Sequence, residues 1–346
     1  MPTKRNWAGN QQEYYPAGNG DKSGEYAAGS GHGGQVFNQP TKSPIDSTIN
    51  DILTEKASIN ELPEEHQKTK TYDEASFNKL KDSVKVVGKD GKTYSYNEGF
   101  IKDWVNGVQE KAKHPTFNEE KGDFGGMSNE RVNFDKQEIQ NEINKQAESL
   151  KANGSQPKYE RKATFVFGLP AAGKSMLSEP LKNDMGAFEI DADLMKQHIP
   201  EFQDDPQMVS AVHEESSWMS KDMFNQLKDK GANLVIGKVG GEKNYNSILK
   251  MMTKLKEQGY EIDIQVAHKD LKKALEANLG RFINRYNDKA NWKKKPPRIV
   301  DTGQHKDTQK TYFDTAIRFF NEGYANGFKF IDVNGKEPKV IKEKRR

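Results

Sequence analysis

Cysteine is absent from all 346 residues, which excludes disulfides, thiolate zinc centres and thiol nucleophiles together. The absence carries no information on compartment, because a chain without thiols tolerates either redox state. Apolar residues are scarce as well: they make up 33% of the chain, and the mean hydropathy is −0.98. Such a composition cannot bury enough apolar surface along its whole length to offset chain entropy, so a substantial part is expected to be poorly folded. No apolar run approaches the ~20 residues that cross a bilayer as a helix. The N-terminal "MPTKRNWAGNQQEYYPAGNG" has no apolar centre of the secretory kind. The expectation is a soluble protein whose site of action is cytoplasmic, with no membrane partner. Charge of one sign is lacking too: 54 basic side chains against 51 acidic give +3, too little to call for a nucleic-acid partner.

What is present falls into unlike parts. Residues 1–48 are rich in Gly, Asn, Gln and Ser and lack apolar periodicity, the composition of a flexible arm. Its aromatics Trp7, Tyr14, Tyr15, Tyr26 and Phe37 are either the scattered aromatics of a disordered tail or anchors that dock on a partner. Residues 49–155 form a small region of unknown role with α+β character. "VKVVGKDGKTYSYNEGF" is patterned as a hairpin turning at Asp90-Gly91. Phe100, Ile101, Trp104 and Val108 then recur at helical spacing, and Phe134, Ile139, Ile143 and Leu150 lie broadly along one stripe of a further helix. "KANGSQPKYERK" breaks the pattern and predicts a domain boundary near residue 155. No recognisable chemistry lies in this half.

From residue 162 the strand-like runs "ATFVFG", "GAFEID", "NLVIGK", "YEIDIQVAH" and "FKFIDV" alternate with amphipathic stretches. This predicts an α/β domain over residues 156–346, a largely parallel sheet flanked by helices. Ligands of such sheets bind beyond the carboxyl ends of the strands. There, after the first strand, stands "GLPAAGKS" (Gly168, Leu169, Pro170, Ala171, Ala172, Gly173, Lys174, Ser175), which fits the phosphate-loop pattern of P-loop NTPases. The glycines let successive amides face phosphate, Lys174 reaches the β- and γ-phosphates, and the Ser175 hydroxyl ligates Mg²⁺. The alternative is a chance Gly-rich turn, with odds on the order of one in a hundred over this length from residue usage. A strand before the loop and a helix after it favour the nucleotide reading, with ATP or GTP as donor and Mg²⁺ as cofactor.

After the second strand comes "FEIDADLMKQHIPEF". Asp191 and Asp193, two apart at a strand end, can divide the work of a phosphotransferase: one accepts a hydroxyl proton, the other steadies metal-bound water or orients the acceptor. The plainer alternative is that one of them N-caps a helix starting at Leu194.

The phosphate loop, "DADLMKQHIPEF" and "VHEESSWMSKDMFNQLKDKGANLVI" together resemble the zeta toxin family of P-loop kinases over residues ~162–335, roughly half the chain. The resemblance implies a kinase that uses ATP or GTP to phosphorylate the 3′-hydroxyl of UDP-N-acetylglucosamine. It assigns the general base to Asp193, with Asp191 in support and Lys196 near the acceptor. It places His213 and Glu214 in the acceptor pocket, although by themselves they read as a polar patch on a helix. The match breaks after the third strand: relatives carry an acidic residue followed by Gly-Thr, whereas this chain has Gly237 and then Lys238. A cation in place of an anion alters which acceptor fits. In "LGRFINRYNDKANWKKKPPRIV", Arg281 and Arg285 share one helical face. The resemblance gives them, and Arg298, the lid role of neutralising the transferring phosphoryl group. "WKKKPPR" reads alternatively as a nucleic-acid surface, since it joins cations to an aromatic. "KEPKVIKEKRR" reads as a solvated end.

Two rival functions remain open from the residues alone. One keeps the fold and makes the acceptor a polynucleotide end or another metabolite. The other makes residues 1–155 the working part, docking to an antitoxin or to a phage or secretion partner that delivers the kinase as cargo.

Overall fold

The computed structural model describes residues 72–346, except 294 and 310, and three short N-terminal strands. The strands β1 (Thr3–Arg5), β2 (Gln11–Tyr14) and β3 (Tyr26–Ala27) pair antiparallel in that order. They belong to one compact unit, Met1–Thr54, and everything below concerns the other, Glu55–Arg346. The rest of the arm expected over 1–48, with Trp7, Tyr15 and Phe37, lies outside the described residues.

The second unit opens with helix α1 (Glu74–Asp82), capped by the Asp73 carboxylate, which accepts from Ser76 N at 2.7 Å. The expected hairpin follows as β4 (Val86–Val87) and β5 (Thr93–Tyr94), and Gly91 supplies the positive φ of +78° that its turn demands. Helix α2 (Gly99–Lys111) buries Ile101 and Trp104 as the spacing predicts. Helix α3 (Asn129–Ala152) buries Ile139, Ile143 and Leu150, but Phe134 is 39% exposed. Five residues before Ile139, Phe134 falls about 140° off the stripe, and Val132 and Asp135 take the inner face instead.

The sheet and its helices then alternate: β6 (Lys162–Gly168), α4 (Ser175–Met185), β7 (Phe188–Ile190), α5 (Ala192–Lys196), α6 (Pro200–Asp204) and α7 (His213–Asp229). After these come β8 (Leu234–Lys238), α8 (Tyr245–Glu257), β9 (Glu261–His268) and α9 (Leu271–Tyr286). The chain closes with α10 (Thr302–Gln309), α11 (Tyr312–Asn321), β10 (Gly327–Asp332) and β11 (Lys339–Arg345). The six strands run in the order β11-β10-β9-β6-β8-β7, all parallel except β11. Strand β6 is therefore where the winding reverses, and a crevice opens beyond its carboxyl end. Along β6, Phe165 and Phe167 enter the larger core, while Val166 faces a smaller one shared with Leu177 of α4. The segment read as a solvated end is β11, antiparallel to β10; its backbone is paired, and its side chains, exposed or half-buried and rich in Lys and Glu, suit a sheet edge.

The boundary expected near residue 155 is a break in local structure and not in packing. Phe77, Trp104 and Ile139 share one core with Phe165 and Phe282. Gln146 of α3 accepts from Glu189 N at 2.7 Å and donates to Glu189 O at 3.2 Å, completing the edge of β7 as a further strand would. Trp104 lies 5.6 Å from Phe282 and 5.7 Å from both Tyr286 and Trp292, ring centre to ring centre. Truncating it leaves a cavity that these rings cannot fill. Trp104→Ala is expected to lower unfolding free energy by about 3–5 kcal/mol, measured by chemical denaturation; a loss under about 1 kcal/mol would show that α2 is dispensable to the fold.

Candidate active site

The loop after β6 curls because its backbone requires it. A Cβ on Gly168 would lie 2.7 Å from Ala267 O, and Gly173 adopts φ +92°. Ala171 sits at φ +57°, a left-handed conformation that costs an alanine about 1–2 kcal/mol. Strain of this kind is retained where surrounding structure enforces it. Lys174 folds back over the loop, donating to Gly168 O at 3.1 Å and Leu169 O at 3.0 Å. Burial, with Arg281 and Arg298 nearby, brings its pKa down to about 8 against the opposing pull of Asp191. Ser175 is exposed at the first turn of α4.

Strand β7 delivers the two carboxylates. Asp191 is the N-cap of α5 and accepts from Asp193 N at 2.9 Å, so the capping role belongs to Asp191 and the helix begins at Ala192 rather than Leu194. Burial and the neighbouring Asp193 charge push its pKa up to about 6. Burial alone would raise Asp193 as well. It is outweighed by Arg298, in direct ion pair, and by Lys196 at 3.2 Å, which hold the carboxyl well below the usual carboxylate range. Lys196 is 3% exposed and serves Asp193 from behind.

These groups meet in a cavity of about 360 Å³ walled by the loop from Pro170 to Ser175, Asp191, Asp193, Gly237, Lys238, Arg281 and Arg298. Arg281 brings a buried Nε that makes no hydrogen bond; burial, Arg298 and Arg285 lower its pKa to about 10. A Cβ on Gly237 would stand 4.0 Å from Asp191 Oδ2, so an acidic side chain there would crowd a carboxylate that is already hard to ionise. Lys238 beside it is half-buried, with its pKa lowered by burial against the attraction of Asp191.

Besides Gly168, Leu169 and Lys196, the predicted site residues Arg285, His213 and Glu214 stand apart from the cavity wall. Arg285 shares the face of Arg281 but donates to Pro296 O at 3.2 Å, bracing the turn that carries Arg298. His213 and Glu214 open α7 at the surface. Displaced water and then Lys196 lower His213 to about 4, whereas displaced water and then Glu119 raise Glu214.

Other residues support the site without any signal in the sequence. Asn278 of α9 brackets Val300, donating to its carbonyl at 2.9 Å and accepting from its amide at 3.0 Å. Asn278 also donates to Tyr96 Oη at 3.2 Å, and Tyr96 donates to Leu275 O at 2.7 Å. Residues ahead of the sheet thus help fix the segment beyond Arg298. Gln304 joins the wall, and His305, fully buried, has its pKa lowered to about 4 mainly by that burial. They lie in "TGQHKDTQ", too polar a run to read as a packed helix. Trp292 of "WKKKPPR" donates Nε1–H to Arg285 O at 2.8 Å and packs in the Trp104 cluster, so its ring is committed inside the fold.

Behind Asp193, His198 meets Glu138 at 2.6 Å and Glu142 at 3.0 Å, tying the loop after α5 to α3. The hydrogen bond to Glu142 raises its pKa, against burial. A raised folded-state pKa contributes stability that is fully present below the unfolded value of about 6.5 and lost as pH rises through the folded value. His198→Gln should therefore cost thermal stability near pH 6 and progressively less above it; a pH-independent difference in melting temperature would contradict this.

Residues 144–345 match the family profile described as Zeta toxin. No curated protein matches the chain. Among solved structures it is similar to one from the PezAT chromosomal toxin–antitoxin system of Streptococcus pneumoniae, with 14% identity and TM-score 0.48, covering 61% of this chain and 81% of that one. It is also similar to AvrRxo1-ORF1:-ORF2 with ATP, at 17% identity and TM-score 0.46, covering 63% of this chain and 68% of that one. The native AvrRxo1-ORF1:-ORF2 complex is matched at 15% identity and TM-score 0.46, with coverage of 72% and 74%.

Proposed function

We propose, from the premise that this chain belongs to the zeta toxin family of P-loop kinases, that it transfers the γ-phosphoryl group of ATP or GTP to a hydroxyl of a nucleotide sugar such as UDP-N-acetylglucosamine, with Asp193 as base. The observation that carries this reading is the cavity itself: one space holds a phosphate loop, two carboxylates and two arginines. Loop amides and Lys174 cradle the donor phosphates, and Lys174 exchanges its two carbonyl contacts for phosphate oxygens. Asp193 accepts the acceptor's proton. Its depressed pKa keeps it ionised, and its partner Arg298 turns to the incoming phosphoryl oxygens, which releases the carboxylate for the hydroxyl. Arg281, whose Nε has no partner, is the second cation for the same charge. Arg285 acts through Pro296 as a positioning residue.

The residues present fit Mg²⁺. Ser175 offers a hydroxyl at the end of the loop, and Asp191 is a buried carboxylate with a raised pKa and thus suited to a cation. Among the described residues no cluster of three or more His, Asp or Glu suits a metal. When bound, Mg²⁺ would neutralise charge on the donor phosphates.

Trp292 is half-buried, with its Nε1–H given to Arg285 O and its ring packed on Trp104 and Tyr286, which makes it a poor stacking platform for "WKKKPPR" and a polynucleotide acceptor the weaker alternative. An antitoxin or a phage or secretion partner would engage residues before 72 more readily than 72–155, because the latter are built into the kinase core. The test is nucleoside-triphosphate turnover by the full chain over a panel of UDP-sugars, other metabolites and RNA ends. Labelling of a UDP-sugar supports the proposal; labelling of RNA ends alone would transfer it to the polynucleotide reading.

A further inference from the structure

Three helices meet at one guanidinium behind the site. Arg131, in the first turn of α3, donates Nε–H to Glu215 of α7 at 2.6 Å and Nη2–H to Glu201 of α6 at 2.7 Å. Its Nε stands 3.6 Å from Asp135 Oδ1 on its own helix, too far for a hydrogen bond. Asp135 and Glu215 are both 0% exposed. Both carboxyl oxygens of Asp135, and Oε2 of Glu215, have no hydrogen-bond partner. Buried polar atoms are ordinarily satisfied, so orphans gathered in one place require a donor. Ionising both residues would also set two like charges against each other out of water, while Glu201 draws on the same guanidinium.

A metal ion does not fit: Arg131 takes the central position a cation would occupy, and among the described residues no carboxylate cluster suits a metal. A proton does fit. Glu215 bears on Asp135 by hydrogen bonding as well as by charge, and two ionised carboxylates have no hydrogen to share. Glu215 is the anion of the two, held by Arg131 and placed in the first turn of α7, where the helix dipole favours negative charge. The proton therefore falls to Asp135. Burial and then the Glu215 charge push its pKa up to about 8, against the pull of Arg131; Glu201 is the remaining charge that bears on it. The neighbouring charges look elsewhere. On α3, Lys136 is exposed over the Phe124 ring, and Glu138 and Glu142 engage His198. Asp204 of α6 is exposed, and the charges that bear on Glu214 of α7 are Glu119 and Lys196. We propose that Asp135 and Glu215 hold one proton between them, and that this proton clasps α3 to α7 in a joint that weakens as the solution turns alkaline. The clasp is independent of which acceptor the cavity phosphorylates.

A carboxyl whose folded pKa lies above the unfolded ~3.9 binds its proton more tightly in the folded chain. Its contribution to stability is complete below the unfolded value, shrinks as pH rises towards about 8 and is gone beyond it. Asp135→Asn keeps the shape and supplies a permanent N–H for Glu215. The test follows the melting temperature of the full chain, wild type and Asp135→Asn, from about pH 6 to about pH 9.5. Other titrations, His198 among them, are common to both chains and cancel in the difference. The variant should gain on the wild type by roughly 2–5 °C per pH unit up to about pH 8, after which the gap is constant. Parallel profiles overturn the proposal. A second readout needs only the wild-type chain: the infrared carbonyl stretch of a protonated carboxyl, present at about pH 7, where ordinary carboxyls are ionised. It should disappear with a midpoint near 8, above the value of about 6 for Asp191. Its absence at about pH 7 overturns the shared proton, whether or not the variant folds.

Discussion

Asp193→Ala is expected to lower kcat for phosphoryl transfer by about 10²–10⁴-fold, the range of a lost general base, while ATP still binds. On the proposed reading the effect should fall on kcat, because Asp193 lies on the helix after β7 and not on the phosphate loop. Removing the carboxylate also leaves Arg298 and Lys196 without their shared counter-charge. Arg298, in the cavity wall, then faces the donor phosphates unneutralised, so the affinity for ATP should hold or rise. A variant that loses ATP binding in proportion to turnover would show that Asp193 is a structural counter-ion and no base. Asp193→Asn sharpens the contrast, since it keeps the shape and removes the basicity.

Lys174→Ala is expected to reduce kcat/KM by about 10²–10³-fold, as for other groups that stabilise charge developing in a transition state. Here the loss should divide between nucleotide affinity and turnover, since on the proposed reading Lys174 meets the phosphates in both states. Its fold should survive. A lysine whose pKa is brought down to about 8 by burial is one whose charged form is disfavoured in the folded chain. Its removal therefore relieves an unfavourable term, and the melting temperature should not fall. Retained turnover with an unchanged KM for ATP would remove the loop from the account.

Where the residues that share the cavity are local in the chain, the sequence already grouped them. The phosphate loop needs eight consecutive residues, and the Asp191–Asp193 pair lies within one turn of a strand end, so both could be read directly. The spacing put Arg281 and Arg285 on one helical face and the resemblance gave both a lid role; Arg281 lines the cavity and Arg285 does not. Four residues share a face only along the helix axis, and one turn further on the guanidinium meets Pro296 rather than the cavity. Nothing local marks Tyr96, which reaches Asn278 across 182 positions, or Gln146, which completes a strand edge from a helix. The role of residues 72–155 was hidden for the same reason: their apolar residues pack into a core whose other members run from Ala163 to Phe330. The tail was misread because alternating Lys and Glu signal solvent, which is true of the side chains of β11 and untrue of its paired backbone.

The account turns on a phosphoryl group moving through the cavity between the loop and Asp193. The direct measurement is transfer of γ-³²P from ATP to UDP-N-acetylglucosamine by the purified full chain, run beside Asp193→Asn and Lys174→Ala, with the labelled product identified by mass. Label on the sugar nucleotide with the wild-type chain, and its loss in both variants, is the predicted result. Label that appears equally with wild type and Asp193→Asn would contradict the assignment of the base, and ATP binding with no label on any acceptor would contradict the kinase itself.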